Sequence, residues 1–394
     1  MLATTVPDTW PSARQVARLV GCPFSTRKRS AEGGHRMPTR FTIEPLVIPE
    51  APGAAGWSDF EAANAVRNVC EAAAYGTDDL ALRAEERLPM WINTEFEPRH
   101  GLIARMDDAV VGRAVVDTLA DPASKHAWLE VLVRPEARGL GIGAVLADAI
   151  EQLAHDDGRS TFIVYAASPD APGPRLDAPT GFGSVPLENT EVRFLLARGY
   201  RLEQLNRGSR LALPADPEAL SRLEADTAAH AASDYDAVTW IGSTPAQFRA
   251  DMAHLHTRMS TDAPTAGLEE PEDVWTVERI DAEDATRASA DLVPVTAAAV
   301  HRVSGALVAF STTFVSPDSA RAITQDDTLV LREHRGHRLG TLVKLANLRA
   351  VEVAFPGRPS IITFNAEENR PMLDVNEAMG FVPIGYEGAW RRDA

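Results

Sequence analysis

The chain has 394 residues, too many for one ordinary core and about right for two domains of ~150–200 residues with a spare end. It is 45% hydrophobic and 24% charged, the profile of a chain that folds by burial, and no run approaches the ~18–20 consecutive apolar residues that a bilayer-spanning helix needs. A formal net charge of −17 speaks against nucleic acid as a partner and favours a cationic small molecule. The two cysteines, Cys22 and Cys70, stand far apart and outside any Cys/His cluster, so no disulfide framework or zinc site is expected and a reducing cytoplasm fits.

Residues 1–36, with Pro7, Pro11, Pro23 and the basic run Arg27-Lys28-Arg29, read as a disordered or extended arm ahead of a natural start at Met37. Order begins near Arg40 with a short strand, Phe41 to Ile43, then helical stretches between Ser58 and Glu86. Gly101–Arg105 and Ala109–Asp117, separated by Asp107-Asp108, form a predicted hairpin. Ala127–Val133 is a third strand, followed by a Gly-bearing turn and a helix to about His155. Thr161–Ala167 is a buried strand and Ser168–Pro186 an irregular insertion or lid; a helix near Glu191–Ala197, the turn at Gly199 and two strands ending near Leu213 follow. The first domain therefore spans 37–214. Residues 215–233 read as a linker, helical in part, and 234–394 as the second domain, with helices at Pro245–Met259 and Val274–Asp291 and strands at Pro294–Val300 and Ala306–Phe314. From Thr328 to Trp390 the order strand, turn, helix, strand, helix, strand recurs.

The recurrence is visible residue by residue. Glu130, Leu132, Val133, Arg138, Gly139 and Gly143 lie 197 positions before Asp327, Leu329, Val330, Arg335, Gly336 and Gly340, without a gap. A period this long means duplicated domains and not a solenoid, whose unit is ~20–50 residues. Glycines after a strand let backbone N–H groups approach an anion, and the helix that follows points its positive end at the same place, which makes a phosphate site. The spacing does not fit a dinucleotide turn, because Arg-Pro-Glu-Ala-Arg intervenes before the glycines. The GxxxxGK of a phosphate loop is absent.

The run Val133-x-Pro135-Glu136-x-Arg138-Gly139-x-Gly141-x-Gly143 resembles the acyl-coenzyme-A signature of the GCN5-related N-acetyltransferase (GNAT) superfamily. The second copy matches at Arg335 and Gly340, with Arg338 where a glycine is expected; Gly380-Phe381 and Gly199-Tyr200 resemble the family's later Gly-Phe. The resemblance implies an α/β fold of two tandem GNAT domains, each a mixed, mostly antiparallel sheet flanked by helices, in a mycothiol synthase-like arrangement. It implies acetyl-CoA as acyl donor, no metal, and transfer to a primary amine of a small molecule by direct attack.

An alkylammonium titrates near ~10 and must lose a proton before it attacks a thioester, so a base is needed. Asp327 and Glu130 are the candidates. Coenzyme would be held by backbone at Leu132, Val133, Leu329 and Val330, by the turn residues Arg138, Gly139, Gly141, Gly143, Arg335, Gly336, Arg338 and Gly340, and by the amides of Asn365, Asn369 and Asn376. The family's usual acid, a tyrosine four residues before the Gly of Gly-Phe, is replaced by Leu195 and Asn376. That replacement keeps a second reading open, a noncatalytic acyl-CoA-binding or regulatory protein. The second domain is the expected seat of chemistry, for its polar cleft. Oligomeric state and acceptor identity have no signal here.

Overall fold

A computed structural model describes Phe24–Ser25, residues 40–231 and residues 234–394. The arm expected at 1–36 and Cys22 therefore lie outside the described residues, apart from strand β1 (Phe24–Ser25), which pairs antiparallel with β2 (Arg40–Pro45). The described residues form two compact units, one of those up to Tyr165 with 391–394, the other of residues 166–390.

In unit 1 the strand order is β1, β2, β3 (Arg99–Met106), β4 (Ala109–Asp117), β5 (His126–Val133) and β6 (Thr161–Ala167). All pairs are antiparallel except β5 with β6. Helices α1 (Trp57–Tyr75) and α2 (Ala84–Ile92) cover one face. Their core, Phe60, Ala63, Val66, Leu88 and Trp91 against Ile103 and Val115, follows from the three-to-four-residue apolar spacing on α1. Helix α3 (Ile142–Asp156) covers the other face with Ile142, Leu146, Ile150 and Leu153. A Cβ on Gly112 of β4 would come within 3.1 Å of Leu146, so any larger residue would make its neighbours on α3 give by a few tenths of an ångström.

Unit 2 repeats the plan. Its strand order is β15 (Val382–Asp393, to Trp390 in this unit), β9 (Arg201–Ala212), β14 (Ser360–Ala366), β13 (Ile323–Val330), β12 (Leu307–Val315), β11 (Val293–His301) and β10 (Tyr235–Ile241). Helices α6 (Arg249–Asp262) and α7 (Val277–Ser289) cover one face, and α8 (Leu339–Ala354) the other. Helix α9 (Arg370–Met379) ends at Gly380 in the left-handed region, with Phe381 buried behind it.

The structure adds to the sequence reading at four places. Within the irregular stretch Ser168–Pro186, β7 (Arg175–Asp177) and β8 (Ser184–Pro186) make a small antiparallel hairpin, closed by Arg175 donating to Ser184. The two strands expected before Leu213 are one 12-residue strand, β9, and a short helix, α4 (Thr190–Ala197), precedes it. β9 pairs antiparallel with β14, so residues following the first copy of the repeat complete the sheet of unit 2. The segment 215–233, expected to be helical in part, contains helix α5 (Pro217–Ala231), with Leu220 buried.

Candidate active site

In both units the parallel strand pair separates part-way. β5 pairs with β6 only through Trp128, and β13 with β14 only through Thr324. Beyond those points one edge of β5 and of β13 is left open. Leu331 donates its N–H to Val308 across β12, and Arg134 does the same to Val111 across β4. Successive residues of a strand point their backbone groups to opposite sides. Val330 and Val133 therefore aim theirs into the split. Their carbonyls confirm the direction: Arg335 Nε donates to Val330 O and Arg138 Nε to Val133 O, each at 3.1 Å. The N–H groups of Val133 and Val330 face the opening. Leu132 and Leu329 do not, because the same alternation turns their backbone toward β4 and β12 while their side chains join the cores. For these two leucines the expected backbone role is corrected.

The turns that follow have one backbone in two sequences. Arg138 and Arg335 are extended, Gly139 and Gly336 have φ of 75° and 87°, and the helix caps Gly141 and Arg338 are left-handed at 86° and 58°. Arg338 thus adopts the shape of the glycine it replaces, at a cost of about 1–2 kcal/mol. The first N–H groups of α3 and α8, including those of Gly143 and Gly340, have no carbonyl within the helix to bond, since the ladders open with Val145 to Gly141 and Leu342 to Arg338. A Cβ at Gly143 or Gly340 would make ordinary contact at 3.7 or 3.8 Å, so the protein alone does not require glycine there.

The charges around the turns differ. In unit 2 the side chain of Asp262, wholly buried at the end of α6, takes Arg258 and Arg332 (3.2 Å), with Arg335 at 3.8 Å. Arg338 lies 3.1 Å from Asp226 on α5. In unit 1 Arg138 bonds Val133 O and stands beside the Cys70 thiol, with no ion pair among the described residues.

The strands beneath differ more. β5 pairs with β4 without interruption, whereas β13 carries a bulge: Thr328 opposes Ser311 and Gln325 opposes Thr313, so Asp326 and Asp327 together face Thr312. Gln325 and Thr328 both bond Ser311, at 2.7 Å each, although three positions apart in an unbroken strand would put them on opposite faces. The bulge therefore sends both carboxylates to the α6–α7 face. There Asp327 Oδ2 is 3.4 Å from His256 Nδ1 on α6. The imidazole is stacked on Trp275 at 4.4 Å and 20°, and Arg279 lies 4.1 Å over the other ring partner. Asp326, although exposed to solvent, is pushed up to about 6 by partial loss of hydration among its neighbours and by the Asp327 charge, against the pull of Arg287 and His256.

The other clamp under the bulge is Lys344 of α8, buried at 2% exposure. It donates to Gln325 Oε1 at 2.8 Å, and burial lowers it to about 7. Asn365 lies on the free part of β14 and accepts from Asn376 Nδ2 at 2.7 Å, while Asn376 Oδ1 is buried without a partner. Asn369 caps α9 with no side-chain bond to the helix.

Glu130 of unit 1 stands where Asp327 stands in unit 2, with a different neighbour. Arg113, 3% exposed, brings a guanidinium nitrogen to 2.7 Å of its Oε1, out of line for a hydrogen bond. Desolvation would raise Glu130, but Arg113, Arg87 and Arg67 outweigh it and hold the carboxyl below its ordinary range. A carboxylate so stabilised is a weak proton acceptor. Leu195, the counterpart of Asn376, is buried and apolar.

Residues 71–172 match the model of the acetyltransferase (GNAT) family. Among solved structures the chain is similar to a tandem GNAT protein from the clavulanic acid biosynthesis pathway, at 24% identity over 90% of this chain and 98% of that one, with a TM-score of 0.64. Over its length the chain has the fold of a tandem GNAT protein. It is also similar to a GCN5-related N-acetyltransferase from Sphaerobacter thermophilus, at 16% identity over 90% and 95% of the two chains and a TM-score of 0.57. A GCN5-related glucosamine N-acetyltransferase region of a fungal β-N-acetylglucosaminidase superposes with a TM-score of 0.58 at 15% identity, covering 90% of this chain and 38% of that one. No curated protein matches in sequence. Among the described residues no group of three His, Cys, Asp or Glu could hold a metal ion, and no helix is long and apolar enough to cross a membrane.

Sequence reasoning singled out the turns and Asp327 and did not single out His256, Trp275 or Asp326, which the structure brings beside Asp327. His256 sits on a helix whose other signals are those of packing. The adjacent acids Asp326-Asp327 in a strand were a readable sign of a bulge, since a regular strand would drive one of them into the core.

Proposed function

We propose that this GNAT protein transfers an acetyl group from acetyl-CoA to a primary amine of a small molecule, with the chemistry in unit 2. The observation that carries this reading is the bulge of β13, which sets Asp326 and Asp327 on one face beside the open edge of the strand and in reach of His256. Two carboxylates there attract an ammonium group, and one that titrates near neutrality can take its proton. Asp327 orients His256 or shares the proton with Asp326. The N–H of Val330, aimed into the split, is a fixed donor for an oxyanion formed on the thioester carbonyl. The helix start at Leu339–Thr341 and Arg335 are placed to meet phosphate, and Asn365 with Asn376 to meet amide groups of the donor. Unit 1 reads as a copy that binds without turnover: its turn keeps Gly139, Gly141 and Gly143, but Glu130 is neutralised by Arg113.

The test is amine-dependent release of free thiol from acetyl-CoA, across a panel of small primary amines. Asp326→Asn and Asp327→Asn should each lower kcat/KM by about 10²-fold or more, the scale of general-base catalysis. Release that needs no amine, or that both variants leave intact, would overturn the proposal.

One observation favours the noncatalytic alternative. Arg332, Arg335 and Arg338 are already engaged by Asp262 and Asp226, so phosphate would have to compete for them. Saturable acetyl-CoA binding with no turnover on any amine would support that reading.

A further inference from the structure

The duplication offers a comparison that the reaction does not use. Leu329 of β13 faces Phe310 of β12, and the matching Leu132 of β5 faces Arg113 of β4. Where unit 2 sets an aromatic ring against His256, unit 1 sets a guanidinium, on the face covered by α1 and α2.

Arg113 is not alone. Arg67 of α1 and Arg87 of α2 act on Glu130 from the same side, and Glu71 of α1 is the other acid among them. Arg99 is already matched, its Nε and a terminal nitrogen on the two oxygens of Asp117. Arg99 with its acids Asp117 and Glu97 set aside, three guanidiniums face two carboxylates, one positive charge over among these five groups. The geometry shows the same deficit. Arg113 Nε is buried with no hydrogen-bond partner. Arg67 spends one terminal nitrogen on Leu80 O and Asn68 Oδ1. The half-buried Arg87 guanidinium has no hydrogen bond or ion pair among the described residues. Burial, then Arg113 and Arg67, push Arg87 well below its ordinary value, yet a guanidinium keeps its proton, so what remains is an unneutralised charge in a poorly hydrated place.

We propose that the α1–α2 face of unit 1, beside the open segment of β5, binds the carboxylate of a small molecule through Arg87, Arg113 and Arg67. A carboxylate supplies the single negative charge the cluster lacks and two oxygens for planar forks, whereas a phosphate dianion would exceed it. The duplicated faces thus have opposite preferences, unit 2 for an ammonium group and unit 1 for a carboxylate. The site stands whether or not unit 2 proves catalytic, because its test uses neither acetyl-CoA nor an amine.

Ligand-observed NMR on the full chain, with acetate and succinate as probes at constant ionic strength and inorganic phosphate as comparison, reads the binding directly. Saturable carboxylate binding is expected, weakened at least tenfold in Arg87→Met and unchanged in Arg175→Met, which removes a surface arginine of the other unit. Arg67→Gln serves as a second variant should Arg87→Met not fold, with at least a threefold loss expected. Absence of saturable carboxylate binding, equal binding by folded Arg87→Met, or phosphate binding more tightly than the carboxylates would each overturn the proposal.

Discussion

Asp326→Asn should make the protein more stable at neutral pH while reducing its activity. The folded carboxyl titrates at about 6 against an ordinary 3.8, so it holds its proton over a hundredfold more tightly than the unfolded chain does, worth about 3 kcal/mol at most. Below about pH 4 both states carry the proton and there is no penalty. As pH rises the unfolded chain releases its proton first, so the cost to the fold grows through pH 4–6 and is complete above 6. The Asp326 side chain is exposed on the open side of the cleft. Water there screens the charge, and about 1 kcal/mol is the realistic gain at pH 7.5.

The assay is denaturant unfolding of wild type and Asp326→Asn at pH 4, 6 and 7.5, comparing differences so that the general response of an acidic chain cancels. A stabilisation of about 1 kcal/mol at pH 7.5 that vanishes at pH 4 is expected, together with the fall in amine-dependent thiol release. Equal stability at every pH, or loss of stability at pH 7.5, would refute the placement of two charges on one face by the bulge. Stability gained as activity is lost is the behaviour of a strained site rather than of a packing residue.

Lys344→Met should also stabilise, most below pH 7. Folded Lys344 titrates at about 7 against 10.5, so its cost is full below 7 and fades as pH approaches 10.5; urea melts at pH 6 and 9 should show the larger gain at 6, less about 1 kcal/mol for the lost bond to Gln325. Arg207→Met should destabilise by about 3 kcal/mol, because Arg207 grips both oxygens of the buried Glu367 at 2.7 Å and its loss leaves that charge alone; thermal melts check this, and a shift within error would contradict it. Arg338→Gly should raise the melting temperature, since relief of left-handed strain, about 1 kcal/mol, exceeds the worth of an exposed pair with Asp226.

Much of the scaffold was legible because its signals are local. The alternation in Ala127–Val133, the glycines after it and the apolar stripe of Ile142, Leu146 and Ile150 each specify their element without help from elsewhere, and the 197-residue offset carried them to the second copy. The boundary between the units was not legible. Arg201–Ala212 follows the first repeat in sequence, but its partner is Ser360–Ala366, and nothing in the alternation of a strand names the strand it will pair with. The site divided in the same way. Asp327 could be placed by offset from Glu130, whereas the neighbours that set their chemistry, His256 and Arg113, come from other elements whose arrival is decided by packing.

Those neighbours also show how the copies parted. Both turns have one backbone, including a left-handed cap held by arginine in the second copy, so the turn's shape persists where its sequence differs. The strand beneath changed instead: an extra residue in β13 turned one acid into two on a single face, and an arginine in β4 cancelled the acid of β5. A fold can keep a donor-binding turn twice and still assign opposite charge to the faces beyond it, because the turn depends on backbone and the faces on side chains. The charge of each face is therefore the better guide to what each copy receives. By that measure, the proposed ligands are an ammonium group for unit 2 and a carboxylate for unit 1.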